Sequence, residues 1–453
     1  MKKSLVALAV LAATGAFAQS SVTLYGIVEG TADIGYSRQQ DATATLNTFN
    51  ALGALTSSST TSTSRSTKNN LRVQDGSDQG TGTSRVGFRG TEDLGGGLKA
   101  NFQLEMGLRL DDGCINNGST PNCDNGGNSA QSGGSAFGRN AWGGLSGGFG
   151  EVRVGRQVLG SYNVQANSEP TGAALGLYNS SATFYAPIGN VRFSNAIKYI
   201  TPNFGGFSAN VAISAPETGA VPTSTSSTTA GVVSTTNASR RTGVDLALEY
   251  ANGPAYIGFG YNKRDTGNVT SFATPVVGGV SSGSTAPGTA TGYTIGGAYD
   301  LGVVKPFINY TRIKTSGNIS AANTATPTSS TLDDSSNTRG LSIGLRAPVG
   351  AFTVIAGYGR FDITSDATSS SLAGGVTTTA VGRTVEKRDA FQLGAQYALS
   401  KRTLIETNYG YTKLRGNGTS TATSNAPGAG SAVLSASGND RISAFNVGLK
   451  HSF

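Results

Sequence analysis

Residues 98–109 alternate between two kinds of position. Leu98, Ala100, Phe102, Leu104, Met106 and Leu108 are apolar, and between them stand Lys99, Asn101, Gln103, Glu105 and Arg109, broken only by Gly107. A strand sends successive side chains to opposite faces, so this stretch has one apolar and one charged face. Its length of about eleven residues is what a tilted strand needs to cross a bilayer. The glycine turn at residues 95–97 joins it to a preceding strand in which Val86 and Phe88 point one way and Arg85 and Arg89 the other.

A single alternating hairpin also suits a soluble sandwich, so repetition decides. The first strand, from Ser21, sets Val22, Leu24, Val28 and Ile34 on one face and Tyr25, Glu29 and Asp33 on the other. Alternating pairs recur around Trp142, at residues 191–214, 242–263, 292–314, 339–361 and 389–414, and the chain ends on RISAFNVGLKHSF. Turns within pairs are short, as at Asn252-Gly253. Between pairs lie polar stretches near 37–83, 216–240, 265–290, 315–337, 363–386 and 415–440, which read as loops. The pattern predicts an all-β, transmembrane antiparallel β-barrel of about sixteen strands, with short periplasmic turns and long extracellular loops. Around Trp142 the parity places Trp142 outward and Arg139 and Arg153 inward.

One inter-pair stretch differs. Residues 158–190 carry Tyr162, Glu169-Pro170, Leu175, Leu177, Tyr178, Phe184 and Tyr185 instead of serine–threonine filler. Such a loop packs against something, and long structured loops are usually functional.

Composition narrows the class. Charged residues make up 13% and there are 65 glycines, less charge and more glycine than a soluble domain carries. Lys2 and Lys3, an apolar run from Leu5 to Ala13 and Ala16-Phe17-Ala18 form a secretory signal peptide over residues 1–18, leaving residues 19–453 as the barrel. No later run reaches the roughly eighteen apolar residues of a spanning helix. Removing Lys2 and Lys3 from a formal charge of +8 leaves about +6, a weak bias toward anionic solutes. Cys114 and Cys123, close together in one loop of an exported chain, are expected to form a disulfide. Catalysis has little to stand on, because His451 is the sole histidine and shares the lipid-facing parity. No metal site, cofactor or nucleic-acid-binding stripe is called for.

The stretches SSVTLYGIVEG, SRVGFRGTEDLGGGLKANFQLE, FGRNAWGGLSGGFGEVRVGRQ and IKYITPNFGGF, with the terminal VGLKHSF, resemble the general porins of Gram-negative bacteria, particularly the beta-proteobacterial branch. The resemblance implies a homotrimer of sixteen-stranded barrels in the cell outer membrane, each with its third long loop folded into the lumen. That loop maps onto residues 158–190. The family's basic wall carries over to Arg85, Arg89, Arg139 and Arg192, opposed by an acid from the loop, here Glu169. Phe453 ends the strand that the outer-membrane assembly machinery reads, and outer-membrane lipid and lipopolysaccharide are the expected surroundings. The function implied is passive diffusion of small hydrophilic solutes and ions, and four basic residues opposed by one acid predict a mild preference for anions. A solute-specific channel and an adhesin or receptor acting through its loops are the alternatives.

Overall fold

The computed structural model describes residues 21–75, 84–108, 110, 115–116, 136–171, 191–215, 236–237, 242–265, 269–270, 275–276, 279–323, 328–373, 376–424 and 431–453. Both cysteines and the leader lie outside them. Sixteen antiparallel strands close on themselves. They are β1 (Ser21–Phe49), β2 (Arg85–Gly95), β3 (Leu98–Leu108), β4 (Asn140–Gly147), β5 (Gly150–Val158), β6 (Arg192–Ile200), β7 (Phe207–Ser214) and β8 (Gly243–Asn252). The circuit continues through β9 (Ala255–Asp265), β10 (Gly279–Tyr299), β11 (Lys305–Asn323), β12 (Thr328–Val349), β13 (Phe352–Ala373), β14 (Val376–Ala398), β15 (Thr403–Ser424) and β16 (Ser431–Ser452). Each strand pairs with the next, and β16 returns to β1, with Ile27 opposite Ser452 and Thr48 opposite Ala432. Closure leaves the ring without an unpaired edge. Among the described residues a single helix, α1 (Gly160–Asn167), lies between β5 and β6. No described helix is long and apolar enough to cross a membrane.

Burial is inverted relative to a soluble protein. The large apolar side chains are the exposed ones, among them Val22, Leu24, Phe88, Phe102, Ile257, Phe259, Ile295, Ile343, Phe391 and Leu449. The buried positions are largely polar, including Glu29, Glu105, Asp245, Asn262, Asn309, Gln392, Glu406 and Asn446. That is how a barrel behaves with hydrocarbon outside and a polar lumen inside. Near the short turns, Phe207 stacks on Tyr250 and Phe352 on Tyr397, with centroids 4.5 and 4.7 Å apart. These pairs belong to an interfacial aromatic girdle. The turn between β2 and β3 has Gly95, Gly96 and Gly97 all at positive φ, a conformation only glycine adopts without strain.

Two expectations require correction. Trp142 faces the lumen, 9% exposed, donating from its indole N–H to Gln103 Oε1 at 3.1 Å. It pairs directly with Gln103, so the two share a face. Arg139 precedes β4 in a bend, so parity counted from Arg139 does not carry into the strand.

The second correction concerns the polar stretches. Much of 315–337, 363–386 and 415–440 is strand, extending the hairpins β11–β12, β13–β14 and β15–β16 upward. Likewise residues 37–49 of β1 pair with a separate strand, Leu55–Asp75. Threonine is a good strand former, and paired hydroxyls reinforce such hairpins, as Thr45 with Thr60 does. A two-sided polar ribbon needs no apolar face, so periodicity does not announce it.

Candidate functional site

Beyond Val158 the chain turns into the barrel. Leu159 is fully buried, and with Tyr162, Phe193, Ala196 and Ala212 it forms the apolar knot where the loop leaves the wall. The N-terminus of α1 has no cap from its own chain segment. Asp245 on β8 supplies one instead, accepting from the N–H of Gly160 at 2.8 Å, the N–H of Ser161 at 3.4 Å and the Ser161 hydroxyl. A carboxylate at this position satisfies orphan donors and complements the helix dipole.

Further along, Gln165 donates to Thr311 Oγ1 at 3.2 Å and Asn309 donates to Ser168 Oγ at 2.7 Å. The Ser342 hydroxyl donates to Glu169 Oε1 at 3.4 Å. The wall beneath is cut back to glycine where the loop touches it. A Cβ at Gly260 would stand 2.7 Å from Ser161 Cα, and one at Gly296 would stand 2.3 Å from Ser168 Oγ. Residues 159–171 are thus laid from β7 across to β12 and fixed there, narrowing the lumen from that side.

Facing them is a basic arc. Arg85 opens β2, Arg139 precedes β4 and Arg192 opens β6, whereas Arg156 on β5 pairs with Ala141 on the outward face shared by the exposed Val154 and Leu145. A bulge between β5 and β6, where Gly155 has φ 129° and Asn195 φ 49°, shifts the register beside Arg156 and Arg192. Bulges of this kind re-aim side chains. Arg156 donates to Gly138 O and to Ser194 Oγ, both at 2.6 Å. The Nε and Nη2 of Arg192 are enclosed and find no partner among the described residues.

The acid within this arc is Glu105 on β3. Its Oε1 accepts from Arg139 at 2.7 Å and Asn140 at 3.2 Å. Its Oε2 accepts from Tyr25 at 2.9 Å and lies 3.9 Å from Arg85. Below this group, Arg153 stacks over Trp142 at 4.1 Å.

Of the residues expected from the sequence, Arg85, Arg139 and Arg192 therefore come together. Arg89 stands apart, exposed and stacked 5.1 Å over the Tyr25 ring. Glu169 lies on the inward loop, but it is only 2% exposed and its Oε2 has no partner among the described residues. Burial pushes this carboxyl well above the usual range, which disfavours its charged form. Cys114 and Cys123 lie outside the described residues. Phe453 meets Gly26 through two backbone bonds of 3.1 Å, and its ring covers that glycine. Sequence parity placed Glu105 inward. What it lacked was the register that sets Asn140 opposite Glu105 and brings Arg139 beside it. Asp245 is likewise inward by parity, but its role depends on where the loop docks.

A family model described as Gram-negative porin matches residues 4–417. An outer membrane porin of Bordetella pertussis is 30% identical over 428 residues, 91% of this chain and 94% of that protein. Outer membrane porin protein 32 of Delftia acidovorans is 39% identical over 216 residues, a match spanning 46% of this chain and 48% of the relative. Among solved structures, the anion-selective porin from Comamonas acidovorans aligns with 96% of this chain and all of its own, at 24% identity and a TM-score of 0.49.

Proposed function

The chain belongs to the Gram-negative porin family of the outer membrane, and on that premise we propose that it is a passive diffusion channel with a mild preference for anions. It carries small hydrophilic solutes and ions down their gradients and works as a homotrimer. The observation that carries the preference is the charge count at the constriction. Arg85, Arg139 and Arg192 share the arc with the carboxylate of Glu105, which engages Arg139 and Arg85, while the Nε and Nη2 of Arg192 have no partner among the described residues. Burial disfavours the charged form of the acid on the loop opposite, Glu169. Clusters of charged side chains at a narrowing select among ions, and a wall of one sign concentrates the opposite ion.

Proteoliposome swelling tests this reading with solutes of one size and three charges. Glucosamine, glucose and gluconate should all enter, gluconate faster than glucosamine. A protein that passes none of them, or that favours glucosamine, overturns the reading. Signal cleavage after residue 18 belongs to the same proposal.

A further inference from the structure

We propose that the lumen holds a second solute site, on the short-turn side of the inward loop, which takes the carboxylate of a sugar acid between Lys305 and Arg346. The site rests on the channel reading, which gives solutes access to the lumen. A cavity of about 440 Å³ lies there, between the loop at Asn167 and Glu169 and the wall where β11 begins and β12 ends. Small-molecule sites are commonly of this size. The loop is seated directly on that wall, for a Cβ at Gly344 would stand 2.5 Å from Pro170 Cγ. The arginine arc belongs to β2–β6 and the cavity to β11–β13, so the two are separate.

The register brings the two cations together. Lys305 stands directly opposite Arg346 across the β11–β12 ladder, and Arg346 stands opposite Ile355 on β13. Ile355 is buried, as is Phe307 two residues along β11, so all four side chains share the lumen face. Like charges in direct opposition destabilise a sheet. Among the described residues no acid forms an ion pair with either cation. Arg346 is instead held in place. Its Nη2 donates to Gln396 Oε1 at 3.1 Å, and Gln396 Nε2 donates to Glu406 Oε2 at 3.2 Å. Glu406 takes the amide N–H, which leaves the amide oxygen for the guanidinium. Lys305 Nζ lies over the Phe307 ring, 5.5 Å from its centroid. An anion entering the cavity therefore meets two cations without counter-charges, one of them already oriented.

Charge and lining name the ligand. Asp300 also borders the cavity, so Lys305 and Arg346 less Asp300 leave one positive charge. Burial disfavours the charged form of Glu169, which therefore takes little from that surplus. A single surplus charge suits a monoanion better than a doubly charged phosphate ester. On the loop side Asn167 and Glu169 supply hydrogen-bonding groups, and Glu169 Oε2 has no partner among the described residues. Such groups recognise hydroxyls, while Phe307 offers an apolar surface for ring carbons. A carboxylate on a hydroxylated ring meets all of these features.

The test is saturation-transfer NMR of the folded protein in detergent with glucuronate, glucose and glucose 6-phosphate, which share one ring. It reads binding without transport, so glucuronate that enters proteoliposomes but gives no transfer overturns the site and leaves the channel reading standing. Glucuronate should bind, glucose 6-phosphate more weakly, and glucose about tenfold more weakly or less, since it lacks the charge-assisted bonds. Lys305→Gln combined with Arg346→Gln should weaken glucuronate binding by about the same factor. Lys401→Gln with Arg402→Gln, exposed in the β14–β15 turn at the same end of the barrel, should leave it unchanged. Heat-modifiable mobility confirms that each variant is folded. Equal binding of glucose, tighter binding of glucose 6-phosphate, or undiminished binding by the Lys305 and Arg346 double variant overturns the proposal. Weakening in the turn variant does too, because general surface charge would then account for the signal. So does a signal that Arg139→Gln with Arg192→Gln abolishes and the Lys305 and Arg346 double variant keeps, since the anion would then sit on the arc.

Discussion

Asp245→Ala removes the cap that fastens the start of the inward loop to the wall. The carboxylate is fully buried and holds two backbone N–H groups and a hydroxyl. Loss of an N-cap costs about 0.5–2 kcal/mol, and a hydrogen bond to a charged group contributes about 1.5–3 kcal/mol. The two descriptions overlap in part, so the loop's docked state should lose about 2–4 kcal/mol. That is roughly a thirtyfold to thousandfold change in the ratio of docked to detached loop at 1.4 kcal/mol per factor of ten. The far end stays tied through Asn309 to Ser168 and Gln165 to Thr311, so the loop swings without leaving the lumen. Single-channel recording should show added open-channel noise and brief partial closures. Asp245→Asn should lie between the parent and Asp245→Ala, because the amide keeps an acceptor but loses the charge. The barrel's heat resistance should hardly change, since its ladder is untouched. Channels of Asp245→Ala as quiet as the parent's would refute the reasoning, and so would unchanged protease sensitivity around residues 159–171.

Glu169 holds its proton in the fold at a pH where the unfolded chain has lost it, so its contribution is full below the ordinary carboxylate range and is lost as pH rises through the elevated value. Thermal stability of the parent should therefore fall with rising pH more than that of Glu169→Gln, and parallel curves for the two proteins would count against this. Deleting Phe453 removes the two bonds to Gly26 and uncovers that glycine, so barrel insertion should drop sharply while secretion continues, measured as heat-modifiable protein in membranes. Cys114 and Cys123 are expected to be joined, restraining their loop by about 2–3 kcal/mol. Mass under non-reducing conditions should show two fewer hydrogens and no free thiol.

The lumen and the lipid face were legible because a barrel strand must alternate between two solvents, and residues 98–108 do so almost without exception. The upper hairpins were not, since Thr45 and Thr60 meet water on both faces and no periodicity marks them. Parity also failed at Trp142, where a bend before β4 breaks the count. At the constriction the sequence supplied Arg85, Arg139 and Arg192, residues that the barrel register then gathers. It pointed to Glu169 as the opposing acid, because that is the carboxylate in the loop. Charge state depends on what surrounds a group, and only the fold shows Glu169 sealed against Ser342 while Glu105 meets two arginines.

The central claim is that the arc of arginines sets the sign of selectivity, and zero-current potential across a bilayer in a salt gradient measures that sign directly. The parent should show a small anion preference that weakens at high salt as the field is screened. Glu105→Gln should enlarge the preference by removing the negative charge beside Arg139 and Arg85, and Arg139→Glu combined with Arg192→Glu should move the potential toward cations. Identical zero-current potentials for all three proteins, or a parent that prefers cations, would contradict the account.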